Sequence, residues 1–314
     1  MSVTSLTNPK VIIVAGPTAA GKSALALSIA EEFGGVLINA DSQQRYRDLR
    51  ILTARPSPEE KARAPHRLFG DLGPDDLGSA AEWAEKAAAE INAANGKLPI
   101  LVGGTGLYFR ALTEGLTEIP PISDDVREAT RALGAAIGPA DMHRRLSARD
   151  PVTAARLKPG DTQRVLRAWE VLEATGKPLS AWHETPPEPI LKAPTFNILV
   201  LPPREHVYAA CDARLKAMVA NGALDEVKAL MGSGIDSRSG AGKALGVADL
   251  AAHLRGEQDL DVALNLAQTA TRQYAKRQMT WFRNQFRADL TISKKLSERL
   301  LPEIFADIRR FLLT

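Results

Sequence analysis

A short apolar run that stops at a glycine loop ending in Gly-Lys-Ser constrains this chain more than any other feature. Lys10-Val-Ile-Ile-Val-Ala15 reads as a buried strand. Gly16-Pro17-Thr18-Ala19-Ala20-Gly21-Lys22-Ser23 follows and satisfies G-x-x-x-x-G-K-[ST] at every fixed position. Ser23 to Phe33 then reads as a helix with Leu25, Ile29 and Phe33 on its apolar face. The two glycines let the backbone turn tightly and leave room for phosphate oxygens. Loop N–H groups and the helix start point at the anion. Lys22 adds a point charge, and the Ser23 hydroxyl suits Mg²⁺. These residues, Gly16 to Ser23, are the expected diphosphate-binding set, with Ser23 the metal-side ligand.

The rest of the pattern alternates strand and helix, so we expect an α/β fold: a parallel sheet of P-loop NTPase type flanked by helices, with a small all-helical insertion. Val36 to Ala40 reads as a second strand with Asp41 at its end. Ligands of open parallel sheets bind outside the carboxyl ends of the strands, which places Asp41 beside the phosphate loop. A turn former or N-cap is the alternative for Asp41. Thr53 to Arg67 is proline-punctuated and reads as a long loop. Ser79-Ala-Ala-Glu82 is a capping box opening a helix to about Asn95. Leu98 to Val102 is the next strand, and Gly103-Gly-Thr105 makes a second glycine junction, with Thr105 either an N-cap or a substrate contact.

From Ser123 to Pro178 the pattern is helical without strands and rich in arginine. Asp161 is a natural N-cap there, whereas Gln163 and Arg164 in a first helical turn run against the helix dipole and favour an anionic partner. The expected division is a core over 1–117, the insertion over 118–194 and the core resumed over 195–314. Phe196 to Leu201 is a strand, Arg204 to Asn221 a helix carrying Arg214, and Ser237 to Gly246 a flexible basic stretch. In the last long helix, from Asp261 to about Phe286, and continued at the same pitch to Arg287, the side chains Arg272, Lys276, Arg283 and Arg287 fall within roughly 60° of one another at about 100° per residue. Net charge is only +3, so an argument for nucleic acid rests on this clustering. The single cysteine, Cys211, excludes an internal disulfide. No apolar run approaches the ~18–20 residues that span a bilayer, and the first residues lack a signal-peptide pattern. A cytoplasmic monomer is the expectation.

Two readings remain open on residues alone. A P-loop kinase is one, although the strand 98–102 ends without the acid that usually holds Mg²⁺. An RNA-binding protein with a relict loop is the other. The ordered set Gly16–Ser23, Asp41-Ser42-Gln43-Gln44, Thr53-Ala-Arg-Pro, Pro65-His-Arg, Leu101-Val-Gly-Gly-Thr-Gly-Leu-Tyr108, Asp161-Thr-Gln-Arg164 and Thr271-Arg-Gln-Tyr-Ala-Lys-Arg-Gln-Met-Thr-Trp-Phe-Arg283 resembles the bacterial tRNA dimethylallyltransferase (tRNA isopentenyltransferase) family over about residues 10–287. The resemblance implies transfer of a dimethylallyl group from dimethylallyl diphosphate to N6 of the adenosine 3′ to the anticodon, position 37. The loop would then hold the leaving diphosphate rather than ATP, and Mg²⁺ would be the cofactor. It further implies Asp41, Thr105 and Arg214 as catalytic residues. The implied tRNA contacts are Asp41, Ser42, Gln43, Gln44, Thr105, Arg127, Asp161, Gln163, Arg164, Arg167, Lys243 and Gly246, joined by Arg272 and Lys276 from the basic helix face. The chain departs from the family pattern at Ser23, Arg50, Leu52, Ala210 and Val247. No Cys/His pair follows the last helix, so a zinc-finger tail is not expected.

Overall fold

Every residue of β1 (Val11–Ala15) is buried, as expected of a strand covered on both faces in a parallel sheet. The computed structural model describes residues 9–234 and 240–314. They fall into two compact units, one running to Thr113 and resuming over Ile190–Thr314, the other being Glu114–Pro189.

In the first unit, β1 leads into the phosphate loop and α1 (Lys22–Phe33), which ends at left-handed Gly34. Then come β2 (Gly35–Asn39), α2 (Pro58–Arg63), β3 (His66–Arg67), α3 (Ala80–Asn92), β4 (Leu98–Gly103) and α4 (Gly106–Thr113). The capping box at Ser79 forms as expected, with Glu82 closing it. After the second unit the chain returns through β5 (Thr195–Val200), α9 (Arg204–Ala220), α10 (Ala223–Gly232), α11 (Val247–Leu254), α12 (Leu260–Gln285), β6 (Leu290–Ile292) and α13 (Leu301–Leu313). The strands make one six-stranded sheet of order β3-β2-β4-β1-β5-β6. All its pairings are parallel.

Two expectations need correction. The stretch from Thr53 to Arg67 is not all loop. It contains α2, capped by Ser57, and β3, whose His66 and Arg67 pair with Leu37 and Ile38. Nor is the described part of 237–246 free: Gly240–Lys243 forms a 3-10 turn with Gly240, Ala241 and Gly242 buried. The Ala241 N–H donates to the Pro74 carbonyl at 2.8 Å. Gly240 has φ +49, and a Cβ there would meet the Pro74 oxygen at 2.0 Å. Ser237, Arg238 and Ser239 lie outside the described residues.

The second unit is wholly helical among its described elements: α5 (Asp124–Arg149), α6 (Pro151–Ala155), α7 (Thr162–Thr175) and α8 (Leu179–Trp182). Helix α5 breaks at Gly138, which has φ 78 and precedes Pro139. Its core is Met142, Leu146, Val165, Ala168, Trp169 and Leu172. Buried Asp150 accepts hydrogen bonds from Thr153 N–H at 3.0 Å and Ser180 Oγ at 2.7 Å.

Candidate active site

The strand order sets the site. Because β4 lies between β2 and β1, three carboxyl ends stand side by side: Asp41 after β2, Thr105 after β4, and the phosphate loop after β1. The packing is tight. A Cβ on Gly103 would fall 2.1 Å from the Ala40 carbonyl, and the Thr105 N–H donates to that same carbonyl oxygen at 3.1 Å. Neither neighbour is a flexible side chain. We therefore expect Gly103→Ala to destabilise the protein by about 3 kcal/mol and to separate Asp41 from Thr105. A urea unfolding midpoint close to wild type would show that the strand ends tolerate separation.

Asp41 is held from both sides of its own backbone. Its N–H donates to Asn39 Oδ1 at 2.9 Å, while Asn39 Nδ2 donates to the Asp41 and Leu68 carbonyls at 2.9 and 3.0 Å. One carboxylate oxygen accepts the Gln43 N–H at 3.0 Å. The turn-forming role and the site role therefore coexist in one residue. The Thr105 hydroxyl accepts the Ser42 N–H at 2.9 Å and stands 3.3 Å from Ser42 Oγ. Thr105 thus uses its side chain to fix the segment after Asp41, not to cap α4.

In the loop, buried Lys22 donates from Nζ to the Pro17 carbonyl at 2.6 Å. Burial lowers its pKa to about 8; Asp41 opposes that fall and Arg214 adds to it. Arg214 of α9 donates to Thr18 Oγ1. Its own pKa is lowered, chiefly by burial, with Cys211 and Asp41 opposing. Lys22, Asp41 and Arg214, expected together, do converge: with Ser23, Gln44, Thr53, Glu60 and Gly103 they line one cavity of about 470 Å³. A second, smaller cavity shares Thr18, Asp41, Thr53 and Arg214 and is closed by Leu52, Leu215, Met218, Leu245 and Tyr274. A polar anion cradle and a smaller recess of mixed lining, in which Thr18, Gln43, Thr53 and Thr271 stand beside Leu52, Leu215, Met218 and Leu245, meet at Asp41.

Other expected contacts are placed differently. Gln44 spends its amide on the Thr53 and Ala54 carbonyls at 3.0 and 2.8 Å. Gln43 Oε1 accepts the Leu245 N–H at 3.1 Å. Arg272 is bound through one nitrogen to both Asp212 oxygens, at 2.7 and 2.8 Å. Lys276 is exposed and Gly246 buried, the latter as the left-handed residue before α11. Lys243 is exposed beside it. In the second unit, Gln163, Arg164 and Arg167 are exposed, and Arg127 and Arg167 make ion pairs with Asp124 and Glu170 on their own helices, each at 3.5 Å. Asp161 precedes α7 but does not cap it; its carboxylate accepts the Lys158 N–H at 3.2 Å.

Two residues of α12 belong to the site although no role was read for them in the sequence. The Tyr274 hydroxyl sits against Gln43 and Thr105, and burial, aided by the Asp41 charge, raises its pKa. Gln278 is buried against the phosphate loop and the Gly103-Gly104 junction. Both were legible in principle, since they fall on or beside the apolar arc of Ala275, Met279 and Phe282, where a polar side chain needs a partner.

Comparisons with known proteins show the family. The IPP transferase family model matches residues 44–285, and an isopentenyl transferase model matches residues 9–73. The chain is 51% identical over 314 residues to a tRNA dimethylallyltransferase of Paramagnetospirillum magneticum, covering 99% of each. It is 54% identical over 283 residues to that of Rhodospirillum centenum, covering 88% of this chain and 90% of the relative. Among solved structures, a tRNA isopentenylpyrophosphate transferase from Staphylococcus epidermidis superimposes with TM-score 0.67 at 31% identity, over 96% of this chain and 99% of that one. A eukaryotic dimethylallyltransferase acting on tRNA gives TM-score 0.78 at 25% identity, over 95% and 80%. With a glycine-loop anion cradle set against Asp41 and Thr105, and relatives matching end to end, the chain belongs to the IPP transferase family of tRNA dimethylallyltransferases.

Proposed function

We propose that this enzyme moves a dimethylallyl group from dimethylallyl diphosphate to the exocyclic N6 of the tRNA adenosine 3′ to the anticodon, releasing diphosphate. The observation that carries the reading is the meeting of the two cavities at Asp41, with the cationic loop on one side and, on the other, a smaller recess of mixed lining bordered by Leu52, Leu215 and Met218.

The loop amides, Lys22 and Arg214 take the diphosphate and the charge that grows on it as the C1–O bond breaks. Both cations already rest on loop oxygens, Pro17 O and Thr18 Oγ1, and exchange these for phosphate oxygens. The acceptor adenosine enters unstacked from the anticodon loop. N6 forms the new bond to C1 and loses a proton to the Asp41 carboxylate, whose direction is set by the Gln43 N–H. Thr105 keeps the Ser42 backbone in place beside it. The adenine amine is a weak nucleophile, so alignment supplies much of the rate.

The oxygen donors at the cradle suit Mg²⁺. The exposed Ser23 hydroxyl and the Asp41 and Glu60 carboxylates border the same cavity. No group of three or more His, Cys, Asp or Glu able to hold an ion occurs among the described residues; Mg²⁺ commonly takes one or two carboxylates together with substrate phosphates. When bound there, Mg²⁺ neutralises leaving-group charge.

For tRNA, we propose contacts from Ser42, Gln43, Lys243 and Lys276, and from Arg127, Gln163, Arg164 and Arg167 of the helical unit. Contacts of this kind make affinity fall with salt. Among the described residues no helix is long and apolar enough to cross a membrane.

The direct test is incubation with Mg²⁺, unmodified tRNA and labelled dimethylallyl diphosphate, beside a tube with labelled ATP. Label on the adenosine next to the anticodon, from the prenyl donor alone, is expected. Label moving only from ATP would make the enzyme a kinase. A pH dependence is expected for the cradle alone. Lys22 is charged below about pH 8 in the free enzyme, and an anion stabilises that charge. Affinity for inorganic diphosphate therefore weakens as pH rises above about 8, by at most tenfold per pH unit. Calorimetric titration giving a flat profile from pH 7 to 10 would remove Lys22 from the binding site.

A further inference from the structure

Gln278 makes both hydrogen bonds that a carboxamide can make in opposite senses. Its Oε1 accepts the Thr18 N–H at 2.8 Å, and its Nε2 donates to the Gly104 carbonyl at 2.8 Å. The side chain is buried, and its orientation is fixed by chemistry, since one end faces a donor and the other an acceptor. The space is made for it: a Cβ on Gly104 would fall 2.3 Å from Nε2.

The two atoms it joins lie on opposite sides of the reaction. Thr18 is in the anion loop, and its hydroxyl accepts from Arg214. Its amide, which such a loop would otherwise offer to phosphate, is committed to Gln278. Gly104 precedes Thr105, whose hydroxyl holds the segment after Asp41. A single amide of α12 therefore links the loop that receives the leaving group to the junction that orders the acceptor side.

We infer that Gln278 is a positioning residue for group transfer, setting the register between the diphosphate cradle and the Asp41–Thr105 side. This rests on the transfer reading above. A group that only stabilised the fold would lower the amount of active enzyme. A group that sets register lowers the rate of the bound complex and leaves diphosphate affinity alone, because the loop amides other than Thr18, Lys22 and Arg214 remain. Misplacement on the scale of 1 Å costs about a hundredfold in rate.

The test uses the full chain with Gln278→Met, which keeps length without either hydrogen bond, and Gln278→Glu, which keeps shape and the acceptor but cannot donate to Gly104 when ionised. Three quantities are read: single-turnover prenyl transfer to tRNA at saturating substrates, calorimetric affinity for inorganic diphosphate, and the thermal unfolding midpoint. At least one variant folded at assay temperature, with diphosphate affinity within about twofold of wild type and transfer slowed tenfold to a hundredfold, is the expected result. Wild-type rates in both variants would overturn the inference. So would a rate loss matched by lost affinity, or unfolding of both variants, since a structural role then suffices. A wild-type enzyme that transferred no prenyl group would instead overturn the transfer reading, and this is read first.

Discussion

Replacing Asp41 by asparagine is expected to slow single-turnover prenyl transfer by about 10²–10⁴ while leaving the fold intact. Asparagine can still accept the Gln43 N–H that Asp41 now takes at 3.0 Å, so the turn persists. What is lost is a base for the N6 proton. The same change has a second readout in the cradle. Asp41 raises the Lys22 pKa against burial, so without it Lys22 loses its proton below about pH 8. The pH at which diphosphate affinity begins to weaken should move down. A wild-type rate in D41N would remove Asp41 from proton transfer, whereas a slow rate with an unmoved pH profile would show that Asp41 does not act on Lys22.

The largest effect on stability is expected at Asp71. The Arg45 guanidinium is fully buried, with its side chain 0% exposed. It donates to Asp71 through Nε at 2.9 Å and through a terminal nitrogen at 2.5 Å, and to Glu82 at 3.2 Å. Burial works against its charge, but the bonds to Asp71, Tyr108 and Glu82 outweigh it and raise its pKa. Asp71→Ala leaves a buried cation with only partial compensation, which costs about 3–5 kcal/mol. Because Arg45 closes the 3-10 turn that holds Gln43 and Gln44, activity should fall with stability. Glu82, the other acid on Arg45, makes the protein acid-sensitive. The Glu82 pKa falls to about 2: burial opposes the shift, and Lys86 and Arg45 more than reverse it. Its contribution is present above the ordinary glutamate value and is lost as pH drops toward 2. Thermal unfolding of D71A within a degree of wild type would show that Glu82 alone satisfies Arg45.

The two predictions draw on parts of the molecule that differ in how readily they are read from the chain. The apolar runs of β1, β2, β4 and β5 and the glycine loop announce themselves, because a strand buried on both faces needs an unbroken apolar sequence. With them come Asp41, Thr105 and Lys22, each at a strand end. Strands β3 and β6 are too short, at two and three residues, for any periodicity to mark them; the ladder that makes them strands is tertiary. Arg45 lies in the polar stretch Ser42-Gln-Gln-Arg-Tyr-Arg47, and no local pattern separates a buried arginine from a solvated one. Arg272 illustrates the converse. Helical spacing groups it with Lys276, yet Asp212, sixty residues away in sequence, holds it. Gln278 and Tyr274 carried a signal, a polar residue on or beside an apolar arc, but the partner that gives it meaning comes from loops more than 160 residues earlier.

The sheet order has a consequence for biosynthesis. Strand β1 pairs with β4 on one side and with β5 on the other, and the entire helical unit is encoded between those two partners. On the ribosome, roughly 90 residues separate the end of β4 from the start of β5, which at ~5–20 residues/s is about 5–20 s. During that interval the strand that carries the phosphate loop is an open, wholly apolar edge, the kind that recruits other chains. The helical unit can bury its own core meanwhile, but only Thr195–Val200 closes the edge. A nascent chain stalled before Thr195 should therefore depend on chaperones far more than one stalled far enough past Val200 for β5 to have emerged from the ribosome.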